Sequence, residues 1–187
     1  MVRQCPVNVI KGSKTLSCTL ALLATLLCLT GCEYVEGLYA LRALPPAVMP
    51  EAVVYAQNGT YGFGPGGNET GLNVIRIADA GADLVAQGGI PWLDAQPSSR
   101  IRPEWATTPV PRNEFWMGRK GHAMGAFPAP TVVAVLNQYG FFDVPKDHQT
   151  ALDAALNAPG SFYAFGPGGL VAVIVPKTRR AYVFYAG

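Results

Sequence analysis

Only two imidazoles occur in the 187-residue chain, His122 and His148. His122 lies in Arg119-Lys120-Gly121-His122, within a stretch that reads as loop, where catalytic groups concentrate. It is the one candidate general base. His148 falls on the apolar side of a predicted helix, where packing is the simpler role. Ser98, Ser99 and Ser161 stand outside any Gly-x-Ser-x-Gly elbow, and no His-Glu-x-x-His pair is present to hold zinc. Glu69, Asp94, Glu104 and Glu114 are carboxylates that glycoside chemistry would need at separations of about 5–9.5 Å, a distance that sequence does not carry. The pattern implies no metal and no cofactor.

Binding chemistry is better represented. From Ile90 to Pro130 the hydrophobic periodicity stops, and all three tryptophans of the chain (Trp92, Trp105, Trp116) fall there with Arg112 and Arg119. Trp and Arg are preferred interface anchors, and the ring of Trp also stacks on sugars. The competing reading is core packing, because Trp is usually highly buried. Disordered segments are poor in aromatics, so plain disorder fits badly.

The elements that must position these residues follow from periodicity. Ala52–Gln57 and Leu72–Ile77 read as strands, with Asn58-Gly59 as a hairpin turn. Asp79 is placed to cap a short helix that runs to Gln87 and stops at Gly88-Gly89. Thr131 caps a helix whose Val132, Val135, Leu136 and Tyr139 share a face, and Gly140 stops it. A further helix runs from Asp147 to Asn157. Ser161–Phe165, the apolar run Leu170–Val175 and Ala181–Tyr185 complete the strands, the last two joined by a polar turn over Pro176–Arg180. The predicted fold is α+β: an antiparallel sheet built from both ends of the mature chain, with two or three helices on one face.

One motif recurs. Tyr61-Gly-Phe-Gly-Pro-Gly-Gly67 returns as Tyr163-Ala-Phe-Gly-Pro-Gly-Gly169, with six of seven residues identical. Pro followed by Gly is turn chemistry, the Gly supplying a positive φ. A backbone anion nest is the functional alternative, but the Lys-Ser/Thr of a phosphate loop is missing. Two similar hairpins are expected, adjacent in the sheet.

The N-terminus has a different character. Arg3, Lys11 and Lys14 precede Thr15–Cys32, an uncharged Leu-rich run that ends Leu29-Thr30-Gly31-Cys32. A basic segment, an apolar run and small residues at its end form the secretory pattern. The last four residues resemble the lipobox of bacterial lipoproteins. That resemblance covers residues 1–32 only. It implies cleavage between Gly31 and Cys32, palmitate-type acylation of the Cys32 thiol, and a membrane anchor in the cell envelope. It also implies, through Glu33 in place of Asp at the second mature position, an outer-membrane rather than inner-membrane location, facing the periplasm. An uncleaved membrane helix is the alternative, since 18 residues approach the lower limit of about 17–25 for a span.

Removal of residues 1–31 changes the composition. All four cysteines (Cys5, Cys18, Cys28, Cys32) lie in the first 32 residues, so the mature chain can form no internal disulfide. The formal net charge falls from +2 to −1, because all twelve acids lie beyond Cys32 while three of the fourteen bases precede it. A nucleic-acid partner is therefore not expected. Residues 32–50 read as a lipidated cysteine with a short tether, and residues 51–187 as one domain. The expected function is that of an envelope lipoprotein whose domain binds another envelope protein or a glycan without catalysis, in the manner of an inhibitor or immunity protein. An envelope hydrolase of cell-wall or glycan material, using His122, is the alternative.

Overall fold

The structure, a computed structural model, describes residues 40–61, 68–97, 104–111, 130–137 and 140–187. Its centre is a six-stranded, wholly antiparallel sheet in the order β1-β2-β6-β5-β4-β3. The strands are β1 (Pro50–Tyr61), β2 (Asn68–Ile77), β3 (Ala106–Thr107), β4 (Phe162–Phe165), β5 (Val171–Val175) and β6 (Arg180–Ala186). The helices are α1 (Asp79–Asp94), α2 (Val132–Leu136) and α3 (Lys146–Asn157). The α+β class and the assembly of the sheet from strands at 50–77 and 162–186 agree with the sequence reading.

The apolar run of β5 explains the layering. All five residues, Val-Ala-Val-Ile-Val, are buried. Successive side chains point to opposite faces, so a strand with no polar alternation must be covered on both. Val171, Val173 and Val175 join one core with Leu72, Val74, Tyr182 and Phe184, roofed by α2 and α3 through Val132, Val135, Leu152 and Leu156. Ala172 and Ile174 join the other with Ile75, Ile77 and Val183, roofed by Ala82 and Val85 of α1 and by residues 40–48. Two helices thus share one face, as expected, and α1 occupies the opposite one. Phe184 is fully buried between β2 and β5 and is one of the largest such side chains. Burial of that kind is worth about 1.5–3 kcal/mol per side chain.

Several local expectations are corrected. Residues 40–48 are not tether: Ala40, Ala43, Leu44 and Val48 are each at most 4% exposed. Their apolar side chains close the second face, which α1 alone does not cover. Asn58-Gly59 is not the turn of the first hairpin. β1 runs through it, with Asn58 opposite Gly71 and Tyr61 opposite Asn68, so the reversal falls within residues 62–67, outside the described residues. Asp79 does not cap α1. Ala78 holds that position, and the Asp79 carboxylate pairs instead with Arg179 at 2.9 Å. Thr131 does cap α2, its hydroxyl accepting from the Ala134 N–H at 3.2 Å. That helix ends at Leu136, and Tyr139 lies outside the described residues.

The second copy of the repeated motif is a turn. The Gly166 N–H donates to the Leu170 carbonyl at 2.8 Å, and Gly168 and Gly169 have φ of 66° and 70°. It joins β4 to β5, while the first copy lies between β1 and β2. The two hairpins are not adjacent, because β6 pairs with both β2 and β5 and separates them.

The second roof depends on one close approach. A Cβ on Gly81 would lie 2.0 Å from the Val48 carbonyl oxygen, a backbone atom. Gly81→Ala removes a helix-interior glycine, which alone would stabilise by about 0.8–1 kcal/mol. The enforced shift of residues 46–49 costs more, since overpacking typically costs about 1–3 kcal/mol. Urea denaturation of Gly81→Ala is expected to show a net loss of stability; a gain would show that the packing is looser than described.

Candidate functional site

The described residues that flank 112–129 are both held by α3. On the way in, the Val110 N–H donates to the Leu156 carbonyl at 2.8 Å. On the way out, the Asn157 amide donates to the Pro130 carbonyl at 2.7 Å. Leu156 and Asn157 are neighbours in the last turn of α3. The described residues on either side of 112–129 are therefore held at one place, the last turn of α3. Flanks held close together on a rigid scaffold are a common setting for functional segments.

Further bonds stiffen this base. The Thr108 N–H donates to the Ser161 carbonyl at 3.0 Å. The Thr108 hydroxyl donates to the Ala158 carbonyl at 2.7 Å and accepts from the Ser161 N–H at 3.1 Å. Thr108 and Ser161 are both 4% exposed. At the exit, Asp153 Oδ1 accepts from the Val132 N–H at 2.7 Å, so α3 also holds the first turn of α2. Burial raises the Asp153 carboxyl above its ordinary value, opposed by that N–H, by Lys146 and by Gln149.

The sequence candidates divide around this base. Trp105 is 5% exposed and belongs to the core beneath α1, with its backbone N–H donating to Asp94 Oδ1 at 3.0 Å. Its side chain is spent on packing, which corrects its reading as an interface anchor. Trp92 is half-buried at the margin of the same core. It stands on helix, not in an irregular segment: α1 breaks at Gly89 (φ 55°, ψ −149°) and resumes through Ile90–Asp94 with Pro91. Gly88 permits the tight passage, since a Cβ there would lie 2.4 Å from that of Trp92. Arg112, Trp116, Arg119 and His122 lie outside the described residues, as do Gly31 and Cys32.

His148 packs, as its position on the helix implies. Its ring centroid is 4.7 Å from that of Tyr55, and its Nδ1 is 3.7 Å from Asp147 Oδ2. The Tyr55 hydroxyl donates to Gln57 Oε1. Burial first, then Asp143 and Asp147, raise the Tyr55 phenol above its usual value. Tyr182 is raised by burial too, with Arg180 opposing and Asp147 adding. These groups form a polar seam between α3 and the sheet that sequence reasoning did not assemble, because it joins residues about 90 and 130 positions apart that only the strand register brings together. Among the described residues no three His, Cys, Asp or Glu side chains converge in a way that could hold a metal ion. No described helix is long and apolar enough to cross a membrane.

Comparison with known proteins gives no match to any family model, to any curated protein or to any solved structure.

Two measurements test the base. Thr108→Val keeps the shape and leaves the Ser161 N–H and Ala158 carbonyl without their partner, so equilibrium denaturation should show a loss of about 1–3 kcal/mol; an unchanged midpoint would mean that the hydroxyl does not hold this flank. The second concerns pH. A carboxyl whose folded pKa lies above its unfolded value contributes stability that is full below the unfolded pKa and is lost as pH rises through the folded one. Wild type should therefore lose stability relative to Asp153→Asn, which retains an oxygen acceptor, as pH rises from 3.8, the ordinary value. A constant difference across a denaturation series at increasing pH would contradict this.

Proposed function

We propose that the protein is a bacterial envelope lipoprotein: residues 1–31 are its signal, Cys32 carries the lipid, and residues 40–187 form a binding domain held at the membrane surface. The observation that carries this reading is Leu29-Thr30-Gly31-Cys32 at the end of an uncharged apolar run, with every cysteine of the chain at or before that point. Two or more acyl chains anchor durably, each buried methylene adding about 0.8 kcal/mol. Glu33 favours the outer membrane, with the domain in the periplasm.

The fold gives the reading a length scale. With residues 40–48 in the core, no more than residues 33–39 lie between Cys32 and the described fold. Even at full extension the chain from Cys32 to Ala40 reaches at most about 29 Å. The domain then works within roughly its own diameter of the bilayer. Its partner is an envelope protein or glycan presented there, or an incoming protein that the domain inhibits.

Binding rather than catalysis is supported by the division of labour around α3. Leu156, Asn157, Thr108 and Ser161 hold the two flanks of residues 112–129 by hydrogen bonds, and the sequence between those flanks carries Arg112, Trp116 and Arg119. Rigid presentation of aromatic and Arg anchors lowers the entropy lost on association.

Replacement of Cys32 by Ala, followed by fractionation of cells grown with labelled palmitate, tests the anchor. Label and membrane association should both disappear from the variant; label retained on Cys32→Ala would rule the anchor out. Crosslinking in intact envelopes should capture a partner with the wild-type protein and lose most of it with Trp116→Ala, whereas equal capture by both would remove the segment from the interface.

A further inference from the structure

Two arginines face each other across the sheet. Arg76 of β2 is the register partner of Arg180 of β6. Directly paired residues of an antiparallel ladder point to the same face, with Cβ atoms about 4.5–5.5 Å apart, and like charges so placed repel. Leu72 and Val74 on β2, and Tyr182 and Phe184 on β6, identify that face as the one roofed by α2 and α3. Arg76 has a counter-ion: its Nε donates to Glu51 Oε2 at 3.1 Å, in an exposed pair. For Arg180 the opposite holds. Its Nη1 is buried and has no hydrogen-bond acceptor.

A guanidinium nitrogen out of contact with water and without an acceptor is costly to the fold. The cost is retained next to a second guanidinium, which makes it larger. Asp143 and Asp147 act on Tyr55, and Asp147 also acts on Tyr182, two register positions along the strands on the same face. The row itself holds Arg76 and Arg180 against Glu51, an excess of one positive charge.

We infer that Arg180, with Arg76 across the ladder, forms a receptor for a singly charged phosphate oxyanion, either free phosphate or the phosphodiester of a lipid headgroup. Arg180 is only partly buried as a residue, and the planar guanidinium fork matches phosphate oxygens, so an oxyanion seated on the accessible edges of the two groups would offset their mutual repulsion. The inference is independent of the lipid on Cys32, because every group it uses belongs to the sheet.

The test uses the full-length protein in a neutral detergent at low ionic strength, with thermal unfolding as the readout. Inorganic phosphate should raise the wild-type midpoint by a few degrees in a saturable manner. Arg180→Met should need at least tenfold more phosphate for the same shift, and its midpoint without phosphate should equal or exceed that of wild type, because the unpaired buried nitrogen is gone. Glu51→Gln, an exposed change that frees Arg76, should tighten phosphate binding several-fold. Vesicles of phosphatidylglycerol should compete with free phosphate if the headgroup is the source; failure to compete, with the phosphate shift intact, assigns the site to free phosphate. No midpoint shift in wild type with either probe, an unaltered phosphate response in Arg180→Met, or a lower phosphate-free midpoint in that variant would each overturn the inference.

Discussion

The constraint on which the structure depends is the burial of β5 on both faces. Val171–Val175 offers apolar side chains alternately up and down, and β6 beside it does nearly the same. An antiparallel sheet can leave one face to water only if its strands alternate apolar and polar residues. These do not, so the chain must build two roofs. One is α2 with α3, and the other is α1 with residues 40–48. The second roof draws residues 40–48 into the core. The first places the last turn of α3 where it holds the described residues on both sides of 112–129.

Strongly periodic elements were legible in the sequence. The α+β class, the central position of β5, the β5–β6 hairpin and the Thr131 cap follow from local pattern and appear as expected. Local signals failed where a tertiary partner outweighed them. Asn58-Gly59 has strong turn propensity, yet Thr60 and Tyr61 still pair with Glu69 and Asn68, and the strand runs on. Gly88-Gly89 does break α1, but the chain restarts a turn with Pro91 and carries Trp92 into helix. Leu44 and Val48 looked like tether beside Pro45-Pro46. Only the open face of the sheet shows why they are core.

The site was legible by composition more than by geometry. The residue types of the Trp/Arg stretch suit binding, and in the fold Trp105 is core, while the described residues flanking 112–129 form a hydrogen-bonded base. Nothing local in the sequence announces the base, since Thr108–Ser161 and Pro130–Asn157 are contacts between distant residues. The Arg76–Arg180 pair was hidden for the same reason. Each arginine is unremarkable alone, and only the register sets them opposite each other.

Targeting and fold meet between the expected anchor at Cys32 and Ala40, the first buried side chain among the described residues. The most direct measurement is the intact mass of the protein extracted from membranes, with fragmentation of its N-terminal peptide. The account predicts a mature chain that begins at Cys32 and carries a diacylglyceryl group on that sulfur. A chain that retains residues 1–31, or an unmodified Cys32, would contradict it.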